Sequence, residues 1–420
     1  MARTGTTRTV LALLLGTVVF VAGCGTNPNQ PAPQQDPAPA TSAPQSQAPA
    51  PEPTPTPSPT SSPVTLTSNV DDGAEGVTVD TLLNIKAAHG TLEAVTASTV
   101  VQTKSGKEKL TVPGGLNDDR TEWRATDGLE PGTTYAINID TVAADGTRSS
   151  ISRTFQTQDL TLDQQTFPSI YPLDGQTVGV GMPVIIRFDI PVTDRANVEK
   201  HLHITTTPAQ AGSWYWPNDS EVHYRPATYW IAGTKVEVDA RLNGVKAGAD
   251  LYGQTTRSWS FQVGRKVVAE VDLAKHVMRV FVNDKLSRTI QVSAGKAGFT
   301  TRNGTKVISE KLRHTPMRSE TEDINDPEYY DLDDVEFAMR LTNSGEFFHA
   351  APWNSRHFGK NNASHGCVGM SMADAEWLFN TMAVGDVATF NGSNRGMEPL
   401  NGYTDWNLSW PEVKSKSALG

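Results

Sequence analysis

The chain has 420 residues, enough for two or three domains of ordinary size. Its formal net charge of −10 argues against nucleic acid as a partner, because phosphate binding needs a basic face. Hydrophobic residues make up 37%, a modest share that a proline-rich segment dilutes.

Arg3 and Arg8 form a basic n-region, and Val10 to Ala22 is almost wholly apolar. That run is shorter than the ~20 residues of a spanning helix and reads as a signal-peptide h-region. Val21-Ala22-Gly23-Cys24 resembles the lipobox of bacterial lipoproteins. The resemblance implies cleavage before Cys24, a diacylglycerol on its sulfur, and a chain held to the outer face of the cell membrane. A plain secretory signal is the alternative. Asn27 to Pro63 carries 13 prolines and no Lys or Arg. It cannot form a core and reads as an extended spacer of ~3.1 Å per residue, on the order of 100 Å of reach into a cell wall.

Residues 64–158 read as β throughout. Short runs such as Leu83 to Lys86 and Tyr135 to Ile139 are separated by turns at Gly106, Gly114-Gly115, Pro131-Gly132 and Asp145-Gly146. This spacing predicts a sandwich. Leu129 to Tyr135 resembles the tyrosine corner of immunoglobulin-like domains. Residues 159–264 repeat the pattern with Val184 to Phe188 and Lys235 to Val238, and a weaker corner-like turn at Gly233-Thr234 after Tyr229. Trp123, Trp214, Trp216 and Trp230 are expected in packing rather than on a glycan platform.

Residues 265–392 form the third region. Val267–Asp272 and Val277–Val282 flank a turn, and Asn283-Asp284 opens a hairpin toward Thr289 to Val292. Ser371 caps a predicted helix over 372–382, with Asp374 at its third position. A last strand follows at Val387 to Phe390. The expected class is mostly β, with a single main helix on the third domain. In the extension 393–420, Trp406 and Trp410 are expected to pin the tail onto a domain surface.

Cys367 is the one cysteine besides Cys24. Exported proteins usually pair or lose cysteines, so an unpaired thiol points to use of the sulfur itself. A thiol attacks as thiolate, and a nearby His can take its proton. His349, His357 and His365 are all candidates for that base. The N–H groups of a turn around Gly366 are able to converge on an oxyanion. Zinc is the less favoured use of these side chains, since His-Gly-Cys is not a usual zinc pair. No cofactor is implied.

His349-Ala350-Ala351-Pro352-Trp353 and Ser364-His365-Gly366-Cys367-Val368 resemble the L,D-transpeptidases with a YkuD-type catalytic domain. The resemblance covers about residues 266–391, and the domain order is similar to the mycobacterial type 2 branch. It implies Cys367 as the acyl-accepting nucleophile and His349 as general base. It implies an oxyanion hole from the N–H groups of His365, Gly366 and Cys367. The implied partners are peptidoglycan stem tetrapeptides, joined by 3→3 cross-links with release of D-alanine, and carbapenems that acylate Cys367.

Two positions depart from the family pattern. Ala350 stands where Ser is common, and suffices if the backbone carbonyl orients His349. Gly369 stands where Asn is common, at a position expected to meet substrate with Ser364. Trp353 is expected either in the acyl-donor groove or in the core, and Arg356 near a stem carboxylate. Ser319 to Glu336 holds nine acidic residues and the pair Tyr329-Tyr330. It is expected as a solvated loop, or as a substrate-contacting lid. A carboxypeptidase using water, and a non-catalytic wall-binding lipoprotein, are the rival functions.

Overall fold

The computed structural model describes residues 62–319, 321 and 323–420. The leader, Cys24 and nearly all of the proline-rich segment lie outside these residues.

Two β-sandwiches precede the third domain. The first packs a sheet of strands Thr65–Ser68, Asn84–Ala88, Glu122–Ala125 and Gly114–Leu116 on a five-stranded sheet centred on Gly90–Thr103 and Thr134–Ala143. Gly114-Gly115, expected as a turn, begins a strand instead. A Cβ on Gly114 would fall 2.2 Å from the Trp123 ring, so glycine lets the buried tryptophan close over an edge strand. The tyrosine corner is present, with the Tyr135 hydroxyl accepting the Glu130 N–H at 2.8 Å. Tyr135 also stacks on Phe155 at 5.2 Å in the core.

The second sandwich pairs sheets built on Val184–Phe188 with Glu221–Pro226, and on Lys235–Ala240 with Arg257–Val263. It adds a short helix, Arg195–Glu199, capped by Asp194. The turn expected at Gly233-Thr234 is present, with the Thr234 N–H donating to the Ile231 carbonyl at 3.2 Å, while Tyr229 before it packs elsewhere. Its ring lies edge-on to Trp406 of the tail at 4.6 Å. Trp123, Trp214, Trp216 and Trp230 are all buried, which fits packing and not a glycan platform.

In the third domain, Val267–Asp272 pairs antiparallel with Val277–Val282 and parallel with Val387–Asn391, inside a five-stranded sheet. A four-stranded sheet runs Glu310–Arg318, Asp331–Arg340, Phe347–Ala350, Val368–Met370. One core joins both sheets to the helix Met372–Thr381 through Met278, Phe348, Met370, Leu378 and Phe390. Ser371 caps that helix by accepting the Asp374 N–H. Gly179 and Gly181 of the second sandwich donate to the carbonyls of Val384 and Gly385, each at 2.8 Å.

The tail closes on the second sandwich and ends in a short helix, Trp410–Ser415. Arg225 lies over the rings of Trp406 and Trp410 at 4.5 and 5.7 Å. The Trp406 indole donates to the Gly181 carbonyl at 2.7 Å. Buried His223 meets buried Asp405 at 2.7 Å. Among the described residues no helix is long and apolar enough to cross a membrane.

Candidate active site

Phe347–Ala350 and Val368–Met370 run parallel, with Phe348 opposite Val368, His349 opposite Gly369 and Ala350 opposite Met370. Cys367 precedes this ladder and so enters beside Phe347. Its Sγ donates to the Gly345 carbonyl at 3.3 Å. Burial pushes the thiol up to about 12; the Phe347 N–H opposes that, the Glu346 charge adds to it, and Lys306 and Arg340 pull it back. The resting sulfur is therefore a thiol, and attack by it would require a base to take its proton.

His349 is 6% exposed. Its Nδ1 lies 2.8 Å from the Ala350 carbonyl oxygen. A carbonyl only accepts, so Nδ1 carries the hydrogen and Nε2 keeps its lone pair. Burial holds the imidazole below the usual histidine value, and the Ala350 contact offsets part of this. Trp353 is 48% exposed, which excludes the core placement. It lies nearly parallel to the His349 ring, 6.0 Å away.

The turn before the cysteine is held from several sides. Ser364 Oγ accepts the Gly366 N–H at 3.1 Å and donates to the Cys367 carbonyl at 2.6 Å. Thr301 Oγ1 donates to the Gly366 carbonyl at 2.7 Å. Gly366 has φ of +132°, a conformation that a side chain would strain. In this resting arrangement the Gly366 N–H is directed at Ser364. Ser364 thus ties the turn together internally.

His365 is held by Glu328 and by two aromatic rings. Its Nε2 lies 2.5 Å from Glu328, and its ring contacts Phe299 at 4.6 Å and Tyr330 at 4.9 Å. Glu328 also pairs with Lys296, and these two partners hold its carboxyl below the usual range. The acidic stretch is therefore not one solvated loop. Its second half is the strand Asp331–Arg340, and Glu328 and Tyr330 reach the turn that carries Cys367. Tyr329 lies within the turn that precedes Tyr330, donating its N–H to Asp326.

Gly369 is buried and exchanges both backbone hydrogen bonds with Ser293. A Cβ there would lie 2.7 Å from the Ala351 Cβ and 3.9 Å from His349 Cε1. It sits beneath the histidine rather than along an open groove. His357 ends the turn Pro352–His357 and contacts Arg356 and Asn361. Among the described residues no cluster of three His, Cys, Asp or Glu is arranged for a metal.

Sequence reasoning missed Glu346, Lys306 and Arg302, a buried charge cluster behind the sulfur. Glu346 offered one signal, a carboxylate abutting the apolar pair Phe347-Phe348. Lys306 and Arg302 offered none, because their partner lies 40 or more residues away.

Residues 266–389 match the model of the L,D-transpeptidase catalytic domain, YkuD, and residues 74–246 that of a bacterial Ig domain. L,D-transpeptidase 2 of Mycobacterium tuberculosis (strain CDC 1551 / Oshkosh) is 35% identical over 356 residues, 84% of this chain and 85% of the relative. L,D-transpeptidase 5 of Mycobacterium tuberculosis (strain ATCC 25618 / H37Rv) is 34% identical over 317 residues, 73% of this chain and 68% of the relative. The solved structure of LD transpeptidase LdtMt1 in complex with imipenem is 32% identical, with TM-score 0.46, and covers 53% of this chain and 97% of that one.

Proposed function

The chain belongs to the L,D-transpeptidase family, and from that premise we propose that it forms 3→3 cross-links between peptidoglycan stem peptides through a thioester on Cys367. The observation that carries this reading is the placement of His349. Its Nδ1 is occupied by the Ala350 carbonyl and its strand lies beside the one Cys367 enters.

In the proposed reaction, His349 Nε2 takes the Cys367 proton as Sγ attacks the carbonyl carbon of the third stem residue. The developing oxyanion is met by the N–H groups of His365 and Cys367. The C–N bond to the terminal D-alanine breaks, His349 returns the proton to the leaving amine, and a thioester remains. The side-chain amine of a second stem then attacks, the C–S bond breaks, and the thiol is regenerated. Trp353, beside the His349 ring and open to solvent, is placed to border the donor stem. Tyr330 and Tyr329 belong to the segment that borders the His365 side, which we read as a lid. A carbapenem is expected to acylate the same sulfur by opening its lactam.

Cys24 is proposed to carry the lipid that holds the protein at the outer membrane face, with the proline-rich spacer letting the rest of the chain reach the wall.

Incubating the protein with a disaccharide-tetrapeptide, beside Cys367→Ala, and weighing the products tests this. A dimer lacking one D-alanine, absent with the variant, supports the transpeptidase. Tripeptide monomer alone would assign a carboxypeptidase, and unchanged substrate in both would count against either activity.

A further inference from the structure

Behind the Ser364–Cys367 turn lies a group of charges that the proposed reaction leaves unused. Lys306 is 0% exposed, Glu346 3% and Arg302 9%. Lys306 Nζ lies 2.5 Å from Glu346 Oε2 and 3.8 Å from the centre of the Phe390 ring. Arg302 reaches Glu346 Oε1 twice, with Nη1 at 2.9 Å and its backbone N–H at 3.1 Å. Burying such a cluster gives up hydration that well-packed apolar residues would not need. Packing alone therefore does not account for two cations on one carboxylate.

The cluster's place in the chain is more informative. Glu346 lies between Gly345, whose carbonyl receives the Cys367 thiol, and Phe347, whose N–H faces the same sulfur. Arg302 directly follows Thr301, whose hydroxyl holds the Gly366 carbonyl. One set of ion pairs thus grips both walls of the nucleophile's seat. With Glu398 included, two cations face two carboxylates. The outward side of Arg302 meets Glu398, which is 50% exposed and screened by solvent.

We infer that Arg302, Glu346 and Lys306 form a positioning device for Cys367, fixing the backbone groups that address the sulfur. This rests on the reading of Cys367 as the nucleophile. Another charged group around the sulfur is Arg340, on the strand that pairs with Phe347. His365, two residues away in sequence, is paired with Glu328.

The test uses the full chain carrying Cys24→Ser, in which Cys367 is the sole thiol. Its rate of alkylation by iodoacetamide is followed between about pH 6 and pH 10, because only the thiolate reacts. Thermal unfolding is recorded in parallel. Lys306→Met leaves Glu346 paired with Arg302 but frees one carboxylate oxygen, and is expected to lower the alkylation rate about tenfold across the profile as the seat of the sulfur loosens. Lys306→Arg, which keeps the charge, is expected to restore the wild-type profile. Arg302→Met, at the rim of the cluster, is expected to lower the rate in the same way, and decides the matter if Lys306→Met does not fold. Profiles of the Met variants that superimpose on wild type, whatever their stability, would overturn the inference. A wild-type Cys367 that fails to react at any pH would instead overturn its reading as the nucleophile.

Discussion

The Nδ1 of His349 is bonded to the carbonyl of its own neighbour, Ala350, at 2.8 Å. The orienting group for the base is therefore main chain, and the side chain at position 350 is free to be a methyl. Ala350→Ser is expected to change kcat/KM by less than about threefold. A much larger gain in steady-state cross-linking assays would show that a hydroxyl was wanted.

The same ring titrates below the ordinary histidine value because it is buried. In the folded protein it stays neutral at pH values where an exposed histidine, with a pKa of about 6.5, would be half protonated. The acid limb of kcat/KM against pH is expected to fall below that value. In stability terms a depressed histidine contributes above about pH 6.5, and that contribution is lost as pH falls toward the folded value. An acid limb above pH 6.5 would contradict the assignment of His349 as the base.

Gly369→Asn restores the residue common in the resembling motif, but into a space that is already filled. A Cβ there would lie 2.7 Å from that of Ala351. The substitution is expected to cost about 1–3 kcal/mol by overpacking, read as a lower denaturant midpoint. If stability is unchanged and turnover rises, position 369 faces substrate after all.

His223 is buried between Asp405 and Glu221, which raise its pKa to about 9 against the opposing effect of burial. The sign follows from the shift. The contribution is fully present below about pH 6.5 and is lost as pH rises through about 9. It amounts to at most about 3 kcal/mol. The gap in Tm between wild type and His223→Gln should therefore shrink as pH rises across that window, measured by thermal unfolding. A gap that holds constant would mean the histidine is neutral and only packs.

The short-range pieces of this protein were legible in the sequence alone. Leu129 to Tyr135 announced its corner, Ser371 and Asp374 their helix cap, and Ser364 to Cys367 a tight turn. In each case the deciding contact falls within a few residues or within a motif of fixed spacing. The chain also declared a mostly β architecture, because alternation and turn residues are local. What tertiary structure alone decided were the contacts set by sheet register and by one domain closing on another. Gly114-Gly115 became a strand because Trp123 lies over it. Tyr229 met Trp406 because the tail returns to the second sandwich. Glu328 found His365, and Glu346 gathered Lys306 and Arg302 from 40 residues and more away. A charge in a sequence does not say whether it will be solvated or buried; only the strands that close over it decide that, and with it the electrostatics of Cys367.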